Sequence, residues 1–192
     1  MGSLFKSTYN TRQLVPGSYR YIRSDVPDKI TEEEKQFLLD HGVRTVVDLR
    51  SEKERQERHC PLEEDERFDY RSMPVTTGDI VPHCFEDVPL GYLDMVDDQL
   101  ERIIRFLEQA DGGVIYFCNA GKDRTGVVSA LLLRRMGAER QEIIDDYVRS
   151  AANLTEMLRD FVARRPDLDL QVVTPRAWTI EQILDRVQFP NT

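Results

Sequence analysis

The segment VIYFCNAGKDRTGVVSALLLRRMG, from Val114 to Gly137, constrains the fold of this chain more than any other. It begins as a short apolar run typical of a buried β-strand and passes through a turn of small and charged residues. It then resumes as an apolar helix that ends at a glycine. A strand that enters a helix through a glycine-containing turn presents several backbone N–H groups and the positive end of the helix dipole at one point. The segment therefore predicts an anion site.

The residue types in this turn suit a phosphate group. Gly121 allows a tight turn and a close backbone approach, and the guanidinium of Arg124 can grip two phosphate oxygens. We expect Thr125 to cap the helix and its hydroxyl to hydrogen-bond the sulfur of Cys118. A helix N-terminus and a nearby arginine favour the thiolate of a cysteine, which can attack phosphorus in line. The leaving oxygen then needs a carboxylic acid as proton donor, and no metal or other cofactor is required.

Strand-like and helix-like segments alternate along the chain, which predicts an α/β fold with a central, mostly parallel sheet flanked by helices and a helical C-terminal third. A capping box at Thr31 and Glu34 starts a helix that Gly42 ends. The remaining predicted elements, in chain order, are strands over Ser18–Ser24, Val43–Leu49 and Phe68–Val75, a loop over Thr76–Pro89, one helix over Gly91–Ala110, and three helices after Gly137.

Composition limits the partners of the chain. A length of 192 residues suits a single domain over residues 1–192, and the formal net charge of −9 disfavours nucleic acid and anionic membranes. No apolar run approaches the roughly 20 residues that span a bilayer, so we expect no stable membrane insertion. Three cysteines favour a reducing cytoplasm. The pairs His59–Cys60 and His83–Cys84 match no common zinc spacing.

The segment CNAGKDRTG resembles the signature C-x5-R-[ST] of the cysteine-dependent phosphatases, and within them the bacterial tyrosine phosphatases with an AGKDRTG loop. Further similarity is carried by NTRQL (Asn10–Leu14), by the segment IRS, by TVVDLRSEKE (Thr45–Glu54) and by DDYVRS (Asp145–Ser150). The resemblance covers about residues 10 to 150.

By this resemblance Cys118 is the nucleophile, Arg124 clamps the phosphate, and the phosphate-binding residues run along the loop: Asn119, Ala120, Gly121, Lys122, Asp123, Arg124 and Thr125. Lys122 and Asp123 match positions that accompany activity on phosphoinositides as well as phosphoproteins. Lys122 either contacts a second phosphate or is a solvated loop charge. The resemblance implies that phosphorylated proteins, phosphoinositides and inorganic phosphate or a similar oxyanion occupy the loop.

The chain departs from the family pattern at two positions. Phe117 replaces the histidine that usually precedes the cysteine, which leaves the thiolate less stabilised and predicts a slower attack. Gln13 replaces an aspartate in the opening motif. Neither change removes an essential group.

The proton donor has three candidates. Asp79 lies in a glycine-containing loop after a strand, Asp123 lies in the phosphate loop itself, and Asp87 lies in FEDVP. Arg50 either lines the site with Ser51 or pairs with Glu54 or another nearby acid, and we favour the pairing.

These observations favour hydrolysis of phosphate monoesters, foremost phosphotyrosine, through a phosphocysteine. The alternative is a phosphate-binding module that recognises a phosphorylated partner without turnover. A sulfur-transfer or arsenate-reducing enzyme fits less well, because such enzymes usually lack the glycine-threonine-glycine ending of this loop.

Overall fold

A computed structural model describes residues 2–78 and 81–187 of the chain. The strands are β1 (Arg12–Gln13), β2 (Tyr21–Asp25), β3 (Val43–Asp48), β4 (Asp69–Ser72) and β5 (Gly113–Cys118). The helices are α1 (Glu32–Asp40), α2 (Glu52–Glu57), α3 (Val88–Asp94), α4 (Asp98–Gln109), α5 (Asp123–Arg135), α6 (Arg140–Asn153), α7 (Thr155–Ala163), α8 (Leu170–Val173) and α9 (Ala177–Arg186). A single 3₁₀ turn over Phe85–Asp87 precedes α3.

The five strands form one sheet in the order β1-β2-β5-β3-β4, in which only the short β1 runs antiparallel to its neighbour. The last strand of the chain thus lies between β2 and β3, and its end is aligned with theirs, since Cys118 is paired with Asp25 and Phe117 with Asp48. Ligands of parallel sheets bind beyond the carboxyl ends of the strands. The topology therefore surrounds the turn after Cys118 with the ends of both neighbouring strands. The predicted α/β class is confirmed.

The strand β5 is buried along its whole length because helices cover both faces of the sheet. Its side chains alternate between two separate hydrophobic clusters. Val114, Tyr116 and Cys118 belong to the cluster built with α4, α5, α6 and α9, whereas Ile115 and Phe117 belong to the cluster that contains residues of α1. Cys118 and Phe117 consequently lie on opposite faces of the sheet.

Local signals in the sequence place most elements correctly. The capping box at Thr31 is present, with its hydroxyl bound to the backbone of Glu34, and Gly42 has the left-handed φ of 72° that ends the turn after α1. The strands β3 and β5 match their predictions closely, and the exposed helix α2 lies between β3 and β4.

The prediction of a single helix over Gly91–Ala110 is wrong. The chain forms α3 and α4 instead, and α3 begins inside the predicted loop. The break lies at Met95–Asp97, where Asp97 has extended backbone angles and its carboxylate accepts a hydrogen bond from the backbone N of Leu100 at 2.8 Å. An aspartate whose side chain caps the backbone in this way marks the start of a new helix. The spacing of the apolar residues alone does not reveal this start. The short elements β1 and α8 were not predicted.

Candidate active site

The turn between β5 and α5, residues 118–123, is called the phosphate loop below. Gly121 has a φ of +62°, and a Cβ there would lie 2.4 Å from the carbonyl oxygen of Ser24. Any other residue would therefore be strained in its backbone and would collide with β2. The tight turn and close backbone approach predicted at Gly121 are both present.

Cys118 and Arg124 are both buried, at the end of β5 and in the first turn of α5. The guanidinium of Arg124 makes a bidentate pair with Glu54, with Nη1 at 2.6 Å from Oε2 and Nη2 at 2.7 Å from Oε1. Burial opposes the charged form of Arg124, but its hydrogen bond to Glu54 and the charge of Cys118 outweigh it and raise the pKa of the guanidinium. Arg124 is thus a permanent cation coupled electrostatically to the cysteine.

Glu54 is the site residue that the sequence analysis did not assign to the phosphate loop. Besides Arg124, it accepts a 2.6 Å hydrogen bond from Nδ2 of Asn119, and it closes a capping box with Ser51 at the start of α2. Burial raises the pKa of Glu54, but the hydrogen bond and charge of Arg124 dominate and lower it overall. The capping motif in SEKE signalled the helix, yet nothing local indicated that the same carboxylate reaches Arg124.

Arg50 plays the structural role that we favoured, with a different acid. Its guanidinium binds Asp48 through Nε and Nη2, and Nη1 donates to the carbonyl of Arg58 at 2.6 Å. The guanidinium carbon also lies 5.4 Å from the centre of the Phe117 ring. The pairing with Glu54 is not formed, because Glu54 is engaged by Arg124.

Two buried donors at this site have no hydrogen-bond partner within the described ranges, namely Nε of Arg124 and the hydroxyl of Thr125. The predicted bond from Thr125 to the Cys118 sulfur is therefore not made. Nor does Thr125 cap the helix, since α5 begins at Asp123 and Lys122 occupies the N-cap position. Buried polar groups without partners are rare in folded proteins. An oxyanion in the loop would give Nε of Arg124 an acceptor.

Lys122 is buried, and its ammonium group contacts protein atoms rather than solvent. It is 6% exposed, and its Nζ donates to the carbonyl oxygen of Val173 at 2.6 Å and lies 3.1 Å from Oδ1 of Asp123. The expectation of a solvated loop charge is therefore wrong. Lys122 instead ties the phosphate loop to α8.

The back of the phosphate loop is held by five polar residues, called the supporting network below: Asn10, Arg12, Arg23, Asp146 and Ser150. Nδ2 of Asn10 donates to the carbonyl of Gly121 at 2.9 Å, and Nη2 of Arg23 donates to the same oxygen at 2.7 Å. With its carbonyls bound from behind, the loop is free to present its amides on the other side. These residues come from the segments NTRQL, IRS and DDYVRS that carried the resemblance.

Asp146 is the acid at the centre of the supporting network. It binds Nε of Arg12 at 3.0 Å and also Nη1 of Arg23. Burial raises the pKa of this carboxyl, but the charges of Arg23 and Arg12 outweigh it and lower the pKa overall. Burial and the neighbouring Arg23 in turn lower the pKa of Arg12 to about 10.

The three proton-donor candidates fare differently. Asp79 lies outside the described residues. Asp87 is exposed and is not among the residues that line the cleft beside Cys118. Asp123 lines the same cleft as Cys118, and its Oδ1 accepts a hydrogen bond from the hydroxyl of Tyr92.

The phosphate loop forms the floor of a cleft of about 530 Å³. Its apolar lining comes from α3 and its C-cap, α7 and α8: Val88, Met95, Met157, Leu158, Phe161, Val172 and Val173. Charged residues of α2 and the residue after it, Glu54, Glu57 and Arg58, also line the cleft. Gly78 also lines the cleft, and a Cβ there would lie 2.3 Å from Cδ of Arg124. The chain can pass this close to the clamp only with a glycine. A volume of this size suits an organic ligand rather than a bare phosphate.

The three cysteines are all free, Cys60 and Cys118 being buried and Cys84 exposed. Burial raises the pKa of Cys60 to about 12, and its side chain packs in the other hydrophobic cluster from that of Cys118. Across the described ranges, no cluster of three or more His, Cys, Asp or Glu side chains suits a metal ion. No described helix is both long enough and apolar enough to cross a membrane.

Comparison with proteins of known sequence gives two relatives of note. The tyrosine-protein phosphatase of Nostoc commune is 28% identical over 150 residues, which cover 73% of this chain and 51% of the relative. The triple specificity protein phosphatase PtpB of Mycobacterium tuberculosis is 38% identical over 80 residues, 39% of this chain and 29% of the relative. The chain thus spans about half the length of the first of these relatives.

Among solved structures, TpbA of P. aeruginosa is similar, with 18% identity, a TM-score of 0.48, and coverage of 86% of this chain and 94% of that one. A family model described as the tyrosine phosphatase family matches residues 7–188. This match includes the phosphate loop, Glu54, Tyr92 and the whole supporting network. The chain belongs to the tyrosine phosphatase family.

Proposed function

We propose that this chain, acting as one phosphatase domain over residues 1–192, hydrolyses phosphate monoesters through a phosphocysteine intermediate. The observation that carries the proposal is the arrangement around Arg124. A buried thiol and a buried guanidinium flank one loop, the guanidinium is oriented by Glu54, and its Nε has no partner in the part of the chain that the structure describes. Such a site is organised for an oxyanion before the oxyanion arrives.

In the first step, the thiolate of Cys118 attacks phosphorus, forming an S–P bond while the ester O–P bond breaks. Arg124 and the backbone amides of residues 119–124 stabilise the charge on the transferring phosphoryl oxygens. The leaving oxygen takes a proton from an aspartic acid. In the second step, water gives a proton to the aspartate and attacks phosphorus, the S–P bond breaks, and inorganic phosphate leaves with the thiolate and the aspartic acid restored. Neither step calls for a metal or an organic cofactor.

The described contacts support Asp123 as the proton donor, because its side chain lines the same cleft as Cys118. Asp79 is the rival, and it follows directly on Gly78, which lies against Arg124. Substitution of each aspartate by asparagine separates them. The true acid is the one whose removal harms esters of poor leaving groups far more than esters of good ones, since only poor leaving groups need a proton.

The proposed substrate is phosphotyrosine in a protein, with phosphoserine, phosphothreonine and phosphoinositides as further candidates. The apolar walls of the cleft favour an aromatic alcohol over a small polar one. The role of Lys122 towards a second phosphate would require its Nζ to leave Val173 and Asp123. A cytoplasmic location stays a prediction from cysteine usage.

The second candidate function is recognition of a phosphorylated partner without turnover. Phe117 is the observation that favours it, because the family pattern has histidine there. The structure lessens its weight, since the Phe117 side chain lies on the opposite face of the sheet from Cys118 and packs against Arg50.

Hydrolysis of phenyl phosphate with EDTA present tests the proposal, using wild type, Cys118→Ser and the matched control Cys84→Ser. We expect turnover in wild type and in the control, and a loss of about 10⁴-fold or more in Cys118→Ser. A wild type that binds inorganic phosphate but releases none from the ester would establish the binding module. Turnover that survives in Cys118→Ser would exclude the cysteine mechanism.

A further inference from the structure

Two buried hydroxyl groups connect helix α6 to the phosphate loop. The hydroxyl of Tyr92 in α3 donates to Oδ1 of Asp123, and the hydroxyl of Tyr147 in α6 lies 2.8 Å from that of Tyr92. Both tyrosines are buried, at 3% and 2% exposure. Neither tyrosine stood out in the sequence as a site residue.

The carboxylate of Asp123 lies at the end of this series of hydrogen bonds and fixes the direction of each of them. An ionised Asp123 only accepts, so Tyr92 donates to it and has only its oxygen lone pairs left. Tyr147 must therefore donate to Tyr92. Burial, followed by the charge of Asp123, raises the pKa of both tyrosines. Both hydroxyls stay neutral donors, and the bonds reinforce one another.

The two oxygens of Asp123 are in different environments. Oδ1 receives Tyr92 and lies 3.1 Å from Nζ of Lys122. Oδ2 receives no hydrogen bond from the residues that the structure describes, and the side chain is 34% exposed where it lines the cleft. One oxygen is anchored, and the other has no hydrogen-bond donor from the described residues.

We propose that Tyr92, supported by Tyr147, is a positioning residue for Asp123 in the proton transfer. Tyr92 holds Oδ1 so that Oδ2 is presented to the leaving oxygen, and it stabilises the carboxylate that remains once the proton has gone. This role rests on the proposed function, with Asp123 as the acid. Neither tyrosine touches the reacting atoms.

The test compares two esters that differ in their need for a proton. Phenyl phosphate has a poor leaving group, whereas dinitrophenyl phosphate has a good one and leaves without protonation. The measured quantity is kcat/KM, which reports the first chemical step, for wild type, Tyr92→Phe, Tyr147→Phe and Asp123→Asn with EDTA present. Tyr116→Phe is the matched control, because Tyr116 is also fully buried and its hydroxyl, 2.8 Å from that of Ser129, lies outside this chain of bonds.

We expect Tyr92→Phe to lower kcat/KM for phenyl phosphate about tenfold and to leave dinitrophenyl phosphate within about twofold of wild type. Tyr147→Phe should show the same selectivity at about two- to threefold, since it only supports Tyr92. Asp123→Asn should show the largest selective loss. Tyr116→Phe should change neither ester.

Equal losses on both esters, or no loss on either, would overturn the positioning role while wild-type turnover leaves the proposed function intact. A selective loss in Asp79→Asn combined with none in Asp123→Asn would overturn it as well. Binding of inorganic phosphate by each variant establishes that the loop is folded. If Tyr92→Phe fails that check, the selectivity of Tyr147→Phe decides. A wild type inactive on both esters would overturn the proposed function and the positioning role together.

Discussion

The two sides of the phosphate loop differ in how their polar groups are satisfied. Behind the loop, the supporting network binds the carbonyls of Ala120 and Gly121, and only Nε of Arg23 lacks a partner there among the described residues. At the start of α5, Nε of Arg124 and the hydroxyl of Thr125, which are both donors, have none in the described part of the chain. The contrast indicates a loop whose back is fixed during folding and whose front is completed by its ligand.

Substitution of Arg124 changes the side of the phosphate loop that binds the ligand and leaves the supporting network behind the loop intact. We expect Arg124→Lys to lower kcat/KM for phenyl phosphate by about 10²- to 10³-fold, because an ammonium cannot reproduce the bidentate fork. The melting temperature should stay close to that of wild type even though activity is lost. Steady-state kinetics and thermal unfolding of the same preparation measure both. A variant that keeps wild-type kcat/KM would contradict the role of the guanidinium.

Replacing the central acid of the supporting network breaks the back. Asp146→Asn leaves the buried Arg12 and Arg23 without their shared counter-charge, and we expect it to lower the free energy of unfolding by about 3–5 kcal/mol at pH 7. Urea unfolding measures this value. A cost below about 1 kcal/mol would show that the two arginines find other partners.

The same pair of proteins tests the pH dependence of this network. The folded pKa of Asp146 is depressed, so its stabilisation is present above the unfolded value, about 3.9, and is lost as pH falls through the folded value. The difference in urea midpoint between wild type and Asp146→Asn should therefore shrink when the pH is lowered from 7 to 3. A difference that stays constant would mean that the charge of Asp146 contributes nothing.

A milder change to the back sharpens the comparison. Asn10→Ala removes the hydrogen bonds to Gly121 and Ala120 and leaves Arg23 in place. We expect a loss of about 1–3 kcal/mol in unfolding free energy. The loss in kcat/KM should be smaller than that of Arg124→Lys. If Asn10→Ala instead equalled Arg124→Lys in activity while leaving stability unchanged, the division into back and front would be wrong.

The smallest effect on activity is expected at Phe117. Its side chain lies on the far face of the sheet from the Cys118 side chain, so Phe117→Leu should leave kcat/KM within about threefold of wild type. The ring packs against Arg50, so thermal unfolding should still detect a loss of stability. A drop in activity larger than the one in Asn10→Ala would contradict the conclusion that Phe117 lies away from the reaction.

The phosphate loop could be predicted from the sequence because its determinants are local. A strand, a glycine that needs positive φ, and the start of a helix all lie within a few residues of Cys118. Glu54 and Tyr92 could not be predicted in the same way. They approach Arg124 and Asp123 across 70 and 31 positions of the chain, and their contacts depend on how α2 and α3 pack.

The supporting network and the break before α4 lie between these extremes. Asn10 and Asp146 were noticed through family resemblance, but their bonds to the loop and to the two arginines follow only from the fold. The break at Asp97 has a local cause that the apolar spacing on either side conceals, because the two helices together mimic one continuous amphipathic pattern.

Trapping the covalent intermediate tests the central claim most directly. Wild type is mixed with dinitrophenyl phosphate, quenched in acid within milliseconds, digested and examined by mass spectrometry. We predict that the peptide containing Cys118 gains the mass of one phosphoryl group, and that Cys118→Ser and peptides containing Cys60 or Cys84 do not. Rapid release of phosphate by wild type with Cys118 unmodified at every quench time would contradict cysteine-based phosphoryl transfer.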